Sequence, residues 1–323
     1  MTKSPQVLRA AVIGTGYLGR FHAQKYAAMD DVELVGVVDV DTERAGESAL
    51  ECGTTAYADY RDLLGRVDAV SIAVPTPLHY QVARDFLEHD VDVLIEKPMT
   101  TSLAEADALI GVAGERGRII QVGHLERFNP AVVSLDEVIS QPLFIEAHRL
   151  AIYKPRCTDV SVVLDLMIHD LDLILGFASS DIRHIHAAGA AVASDHVDIA
   201  NARVEFESGC VANITSSRIS LKNERKIRLF QKDAYISVDF SSREITIVRL
   251  ADGPSDSLIP GTDIRHLTFD QGDALDAEIR SFVHCVRVRE QPAVSGQVGR
   301  DALAAAITVM DQIQKTASRI SSR

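Results

Sequence analysis

The chain has 323 residues, a net charge of −13, and a composition that is 46% hydrophobic and 24% charged. That length suits two domains of about 100–200 residues each, and the composition excludes a disordered, collagenous or repeat-array protein. A chain this negative does not read as a nucleic-acid binder, because phosphate contacts need a basic surface.

No apolar run approaches the roughly 18–20 residues that span a bilayer, so no membrane partner is expected. Met1-Thr2-Lys3-Ser4-Pro5 leads into a strand-like run without the h-region of a signal peptide, and a cytoplasmic enzyme is the expectation. Cys52, Cys157, Cys210 and Cys285 form no C-x-x-C pair, which argues against structural zinc and for free thiols.

Strand and helix signals alternate through the first 123 residues. Val7–Ile13 is an apolar run ending at Gly14-Thr15-Gly16-Tyr17-Leu18-Gly19, followed by a helical pattern to about Met29 and a second run, Val32–Val38, closing on Asp39. Thr42–Cys52 reads as a helix and Thr54–Tyr57 as a short strand, and Asp59 can cap a short helix through Leu64. Asp68–Val74 and Val91–Ile95 are strands that flank a helix, Thr76–His89, behind Pro77. Ser102 with Glu105 makes a capping box for a helix to about Glu115, and Ile119–Val122 closes the series. About six strands built from apolar runs describe a parallel sheet covered on both faces, the doubly wound Rossmann arrangement of an α/β domain.

The glycines sit where that fold would use them. Gly14 permits the tight turn, Gly16 lets the backbone approach a pyrophosphate, and Gly19 lets the helix pack closely on the strand. The anion would rest on the unpaired N–H groups at the start of the helix, around Tyr17 and Leu18. Asp39, 20 residues beyond Gly19, can accept hydrogen bonds from the adenine ribose and repel a 2′-phosphate. Val40 follows it rather than an arginine, which favours NAD over NADP, although Arg44 is near in sequence.

Beyond Val122 the alternation stops. Phe144–Arg149 is strand-like, and a polar loop, Tyr153–Asp159, leads to a long helix, Val160–Phe177. The strands Ile182–Ala188, Ile199–Glu207, Val211–Ile219, Lys226–Gln231, Tyr235–Asp239 and Glu244–Leu250 follow, with a hairpin at Ser208-Gly209, and helices at Ala274–Arg289 and Arg300–Ala317 end the chain. This pattern predicts an α+β domain over 124–323 with a large, mostly antiparallel open sheet. One face of such a sheet needs a cover, and homo-oligomerisation, as a homodimer or homotetramer, is expected there.

The helix Val160–Phe177 is apolar nearly all round, yet Asp165, His169 and Asp172 recur at i, i+4 and i+7. Either a satisfied Asp–His pair joins two elements, or an Asp orients a general-base His in a cleft. The ligands for a metal site are too few. Glu96-Lys97-Pro98 ends a parallel strand on the edge where doubly wound sheets bind ligands. Lys97 there could be a solvated loop lysine, a cation that stabilises a developing alkoxide, or a base.

The fingerprint Gly14–Gly19, the run Val74-Pro75-Thr76 with His79, Glu96-Lys97-Pro98, and Asp165 with His169 together resemble the Gfo/Idh/MocA family of oxidoreductases along most of the chain. The resemblance implies that Val74, Pro75, Thr76, His79, Glu96 and Lys97 join the glycines and Asp39 around the cofactor. It implies that Lys97 holds the reacting hydroxyl, that His169 takes its proton and that Asp165 orients the sugar or the imidazole. It also implies a cis bond at Lys97–Pro98.

Gly123-His124-Leu125-Glu126-Arg127-Phe128-Asn129-Pro130 and Val163–Asp170 are similar to a branch that includes UDP-N-acetylglucosamine 3-dehydrogenases, which supply 3-keto sugars ahead of amination for lipid A. On that resemblance, Arg149, Lys154 and Arg156 would meet a diphosphate and Arg127 and Asn129 the sugar, or the three basic residues are simply a solvated loop. A polyol, inositol or free-sugar dehydrogenase of the same family is the alternative, and a non-catalytic dinucleotide-binding regulator is the alternative from another class.

Overall fold

A computed structural model describes residues 7–153, 160–251, 258–269 and 272–321. Contacts divide the chain into two units, one running to Phe128 and including Asp273–Asp301, the other comprising Asn129–Gly272 and the residues from Ala302 onward. The boundary expected near Gly123 falls a few residues short of the first break, and the return of Asp273–Asp301 was not anticipated. An amphipathic helix carries no mark of which sheet it will cover.

The first unit is built on six parallel strands, β1 (Leu8–Ile13), β2 (Val32–Val38), β3 (Thr55–Tyr57), β4 (Ala69–Ile72), β5 (Asp92–Glu96) and β6 (Ile120–Gly123), in the order β3-β2-β1-β4-β5-β6. The chain winds outward in one direction from β1 and in the other from β4, so a crevice opens between their C-terminal ends. Helices α1 (Tyr17–Ala27), α2 (Thr42–Cys52), α3 (His79–Glu88) and α4 (Leu103–Arg116) connect the strands, and α7 (Ala274–Val288) joins them from the far end of the chain. Ala10 and Val12 of β1, Tyr26 of α1 and Phe282 of α7 share one buried cluster.

Local chemistry fixes these elements. Asp41 caps α2 by accepting from the Arg44 N–H, Asp59 caps a short 3₁₀ turn at Tyr60–Leu63, and Ser102 with Glu105 forms the full capping box of α4. Gly53 and Gly117 close α2 and α4 in the left-handed conformation. The segment expected as one helix from Thr76 divides into a 3₁₀ turn, Thr76–Leu78, with Pro77 in its first turn, and α3 directly after it.

The second unit carries an eight-stranded sheet of β7 (Pro142–Ile152), β8 (Ile182–Ala190), β9 (Ile199–Phe206), β10 (Val211–Ser220), β11 (Glu224–Gln231), β12 (Ala234–Asp239), β13 (Glu244–Leu250) and β14 (Thr262–Thr268), ordered β14-β13-β12-β11-β7-β10-β9-β8. β7 and β10 run parallel and the other neighbours antiparallel. Ile145 and Ala147 of β7, Ile214 of β10 and Ile227 of β11 point to one face, where α6 (Ile168–Ala178) and the part of α8 (Gly296–Ser321) from Ala302 bury them. α5 (Pro130–Val133) is a single turn at the start of the unit.

Two local expectations change here. β14 gives no strand signal in the sequence because its Thr, Asp, Arg and His residues leave it mostly exposed, as an edge strand can be. The long helix from Val160 instead opens with a π turn at Val163–Met167 before α6 begins. A single π turn inside an α-helix is a local irregularity that recurs at functional sites.

Candidate functional site

The turn after β1 has the features of a dinucleotide cradle. Gly14 holds φ at +92°, and a Cβ there would lie 2.7 Å from the Ala73 carbonyl oxygen. A Cβ on Gly19 would lie 1.8 Å from the Gly14 carbonyl oxygen, so no larger residue lets α1 sit this close to the strand. Gly16 faces open space, with nothing within 4 Å of a Cβ built there. The first turn of α1 has neither a capping side chain nor an acidic residue, and its orphan N–H groups suit a phosphate. Tyr17 and Leu18 are exposed beside it.

Asp39, at the end of β2, is buried and richly bonded. The Thr15 N–H and hydroxyl donate to its Oδ2 at 2.8 and 3.1 Å, and the Asp41 N–H donates to Oδ1 at 3.0 Å. The Arg44 guanidinium completes the set, with Nε 3.2 Å from Oδ2 and Nη2 2.9 Å from Oδ1. Burial alone would raise this carboxyl, but the donors from Arg44, Asp41 and Thr15 outweigh it and hold it below the usual value.

Val74, Pro75 and Thr76 leave β4 at the same edge, partly or fully open to solvent. His79 differs from its expected place at the cofactor. Its ring is buried, with Nε2 2.8 Å from the Val74 carbonyl oxygen and Nδ1 3.0 Å from that of Pro98. Burial pushes its pKa down against the pull of these carbonyls. The imidazole ties the loop after β4 to the loop after β5, and so acts on the edge from behind.

Glu96 is likewise turned inward. Its Oε1 lies 3.1 Å from His22 Nε2, and its Oε2 accepts from the Lys97 N–H at 3.2 Å. Burial would raise its pKa, but His22 and Lys97 draw it below the ordinary range. The next peptide, Lys97–Pro98, is cis. His22 has no motif to announce it and sits fully buried on α1.

In the second unit Asp165 lies in the π turn and His169 follows at the start of α6, both half-buried, whereas Asp170 and Asp172 are buried. Arg149 is not part of an open basic cluster. It alternates with Ile145 and Ala147 on the inward face of β7, and its guanidinium grips Asp170 through Nε (3.1 Å to both oxygens) and Nη2 (2.8 Å). Positions 145, 147 and 149 of β7 face the core, so an arginine there must find a buried partner. Lys154 and Arg156 lie outside the described residues. Asn129 caps α5 by accepting from the Ala131 N–H at 3.0 Å, and Arg127 lies half-buried in the 3₁₀ turn Leu125–Phe128.

A family model described as "Oxidoreductase family, NAD-binding Rossmann fold" matches residues 8–124, and one for the GFO/IDH/MocA C-terminal domain matches residues 147–237. A UDP-N-acetylglucosamine 3-dehydrogenase from Acidithiobacillus ferrooxidans is 42% identical over 303 residues, 94% of this chain and 96% of that one. The chain belongs to the Gfo/Idh/MocA family. As a member of that family it is an oxidoreductase with an NAD-binding Rossmann domain. A solved structure of the Acidithiobacillus enzyme is similar with a TM-score of 0.91 at 41% identity, covering 95% of this chain and 98% of that one. A myo-inositol 2-dehydrogenase from Thermotoga maritima is 28% identical over 316 residues, 92% of this chain and 93% of that one. No helix among the described residues is long and apolar enough to cross a membrane.

Proposed function

We propose that this family member is an NAD-dependent dehydrogenase that oxidises the 3-hydroxyl of UDP-N-acetylglucosamine to a ketone. The observation that carries the substrate is the likeness to an enzyme so named, which extends over nearly the whole of both chains and exceeds the likeness to the inositol dehydrogenase. The cofactor reading rests on the open backbone at Gly16, the uncapped start of α1 and the carboxylate of Asp39. These features suit a dinucleotide, whose pyrophosphate the helix N-terminus would hold and whose ribose hydroxyls Asp39 would bind.

When bound, the nicotinamide accepts a hydride from carbon. The chain itself must then deal with the hydroxyl proton and the charge on oxygen. In this reading Lys97 holds the reacting hydroxyl and stabilises negative charge developing on it. His169 takes the proton as general base, and Asp165 orients the imidazole or the sugar. Arg127, Asn129 and the segment with Lys154 and Arg156 are assigned to the nucleotide sugar. Arg149 is withdrawn from that group and acts instead by fixing Asp170, the neighbour of His169. The first unit serves the cofactor and the second the substrate, in the cytoplasm.

The outward face of the second sheet supports a homodimer or homotetramer. Phe144, Phe230 and Tyr235 line up there with ring centroids 5.6 and 5.0 Å apart, and Arg228 pairs with Glu146 at 3.2 Å between the same strands. Sedimentation at micromolar concentration that finds monomer alone would remove this part of the reading.

The test of function mixes the protein with NAD, and separately NADP, and with UDP-N-acetylglucosamine, other UDP-sugars, free hexoses and inositols, with a carbonyl trap present. Reduction of NAD with UDP-N-acetylglucosamine is the expected result, and turnover confined to inositols or hexoses would overturn the substrate. Lys97→Ala is expected to lose on the order of 10²–10⁴-fold in turnover while still binding NAD. Wild-type turnover in that variant would take Lys97 out of the mechanism.

A further inference from the structure

The segment that returns to the first unit brings in an acid that the proposed activity does not use. Glu278 occupies the apolar stripe of α7, with Ile279, Phe282 and Val283, and is wholly buried. Among the described residues neither of its carboxyl oxygens has a hydrogen-bond partner, and nor does the Gln121 side-chain oxygen of β6. The Gln121 amide nitrogen donates to the Glu278 backbone carbonyl at 3.0 Å, which fixes the register of helix against strand. One ligand-capable atom from each of His22, Glu96 and Glu278 falls within 4.8 Å of the others, a span that one enclosed water can bridge.

The hydrogen bonds around this cluster run in one direction. Tyr26 Oη lies 2.9 Å from Ser71 Oγ, and Ser71 Oγ lies 3.1 Å from His22 Nδ1. His22 Nε2 meets Glu96, which as a carboxylate can only accept. A neutral His22 therefore donates from Nε2 to Glu96 and accepts at Nδ1 from the Ser71 hydroxyl, which in turn accepts from Tyr26. Both ring nitrogens are thus engaged, and His22 keeps no lone pair for a metal ion.

Two carboxylates this close and this far from water do not both ionise. Glu96 is the one with help, from the His22 N–H, the Lys97 N–H and the charge of Lys97. Glu278 faces the negative charge of Glu96 without compensation, and burial together with that charge raises its pKa well above the ordinary value. The groups nearest it are His22 and Tyr26 from α1, Glu96 at the end of β5 and Gln121 from β6, with Ser71 of β4 behind His22 and Tyr26.

We propose that Glu278 is a positioning residue of the oxidoreductase site, a neutral carboxylic acid whose O–H serves the Glu96 carboxylate through one water, and so keeps a single negative charge behind Lys97. The inference rests on the role proposed above for Lys97. Ionising Glu278 would double the charge behind that lysine and draw its ammonium inward, away from the substrate edge.

Two variants separate this role from simple packing. Glu278→Gln keeps a neutral donor of the same shape, and Glu278→Leu removes the donor while staying apolar. In the infrared spectrum at neutral pH the wild type is expected to show a protonated carboxyl band that Glu278→Gln lacks. The wild type must also hold a proton that the unfolded chain releases above the ordinary value of 4.5. Its melting temperature should therefore fall relative to Glu278→Gln as pH rises from about 5 to about 9. Glu278→Gln should retain kcat within about threefold, whereas Glu278→Leu loses about tenfold or more at unchanged KM for NAD.

Absence of the band, a pH-independent melting difference, or a Gln variant as impaired as the Leu variant would each overturn the proposal. So would a stoichiometric divalent ion in the purified protein that His22→Ala removes. The infrared and melting measurements decide the protonation of Glu278 without turnover. A failure of Lys97→Ala to affect the rate would instead sink the reading of the site.

Discussion

Two aspartate–arginine pairs of the same chemistry stand in opposite surroundings. Asp39 and Arg44 meet at the end of β2, with the arginine side chain 47% exposed. Arg149 and Asp170 join β7 to α6 with side chains only 4% and 3% exposed. The first pair can trade its arginine for a ligand, because water can receive the guanidinium as it leaves. The second cannot open without leaving a bare charge in the core. Geometry alone does not distinguish the two, since both are bidentate at ordinary distances. What differs is the cost of separation, and that cost sorts residues able to serve a ligand from those that hold the scaffold.

The largest expected effect tests the closed pair. Asp170→Ala should destabilise the protein by about 3–5 kcal/mol, read as a lower urea midpoint at unchanged slope. Replacing both partners together, Arg149→Met with Asp170→Leu, should recover most of that loss, because it removes the charges rather than stranding one. A single substitution costing less than about 1 kcal/mol would mean that water reaches the pair, as it does at an exposed one.

A second closed carboxylate sharpens the contrast through pH. Asp198 is fully buried. Burial would raise its pKa, but the N–H groups of Val192, Ala193 and Ser194 and the Ser194 hydroxyl pull it down to about 2. A depressed carboxyl contributes stability that is whole above its ordinary value of 3.8 and lost as pH falls through about 2. Asp198→Asn should therefore cost about 2 kcal/mol near neutrality, and the gap to the wild type should close in strong acid. An equal gap at both ends would place the loss in packing rather than in charge.

How far the sequence could be read follows the same divide. The open edge was legible, because Gly14 and Gly19 belong to a turn that only glycine permits, Asp39 ends the strand that follows it, and the Ser102–Glu105 capping box closes within four residues. The closed interior was not. Arg149 looked like part of a basic loop with Lys154 and Arg156, and only the alternation of β7 turns it inward. Glu278 did leave a trace, an acid at the i+3 position of the stripe Leu275, Ile279, Phe282, but nothing local says which sheet that stripe will cover. The π turn at Val163–Met167 has no composition of its own that separates it from the helix it opens. β14 is a polar edge, so alternation of apolar residues had little to report.

The smallest expected effect is on the open pair, and it bears on cofactor choice. Arg44→Ala should change stability by no more than about 1 kcal/mol, the range of an exposed ion pair. Its consequence should appear instead in binding. With Arg44 gone, Asp39 keeps the Thr15 and Asp41 donors, remains a carboxylate and is open to the ribose hydroxyls, so NAD affinity should shift only a few-fold. A 2′-phosphate would meet the same carboxylate without the neighbouring guanidinium, and NADP affinity should drop further. The measured ratio of NAD to NADP affinity should thus rise in Arg44→Ala and fall in Asp39→Asn, where the repelling charge is removed but the arginine stays. If both variants moved the ratio in the same direction, Asp39 and Arg44 would act as one structural unit, and the distinction between an open and a closed pair would fail at this edge.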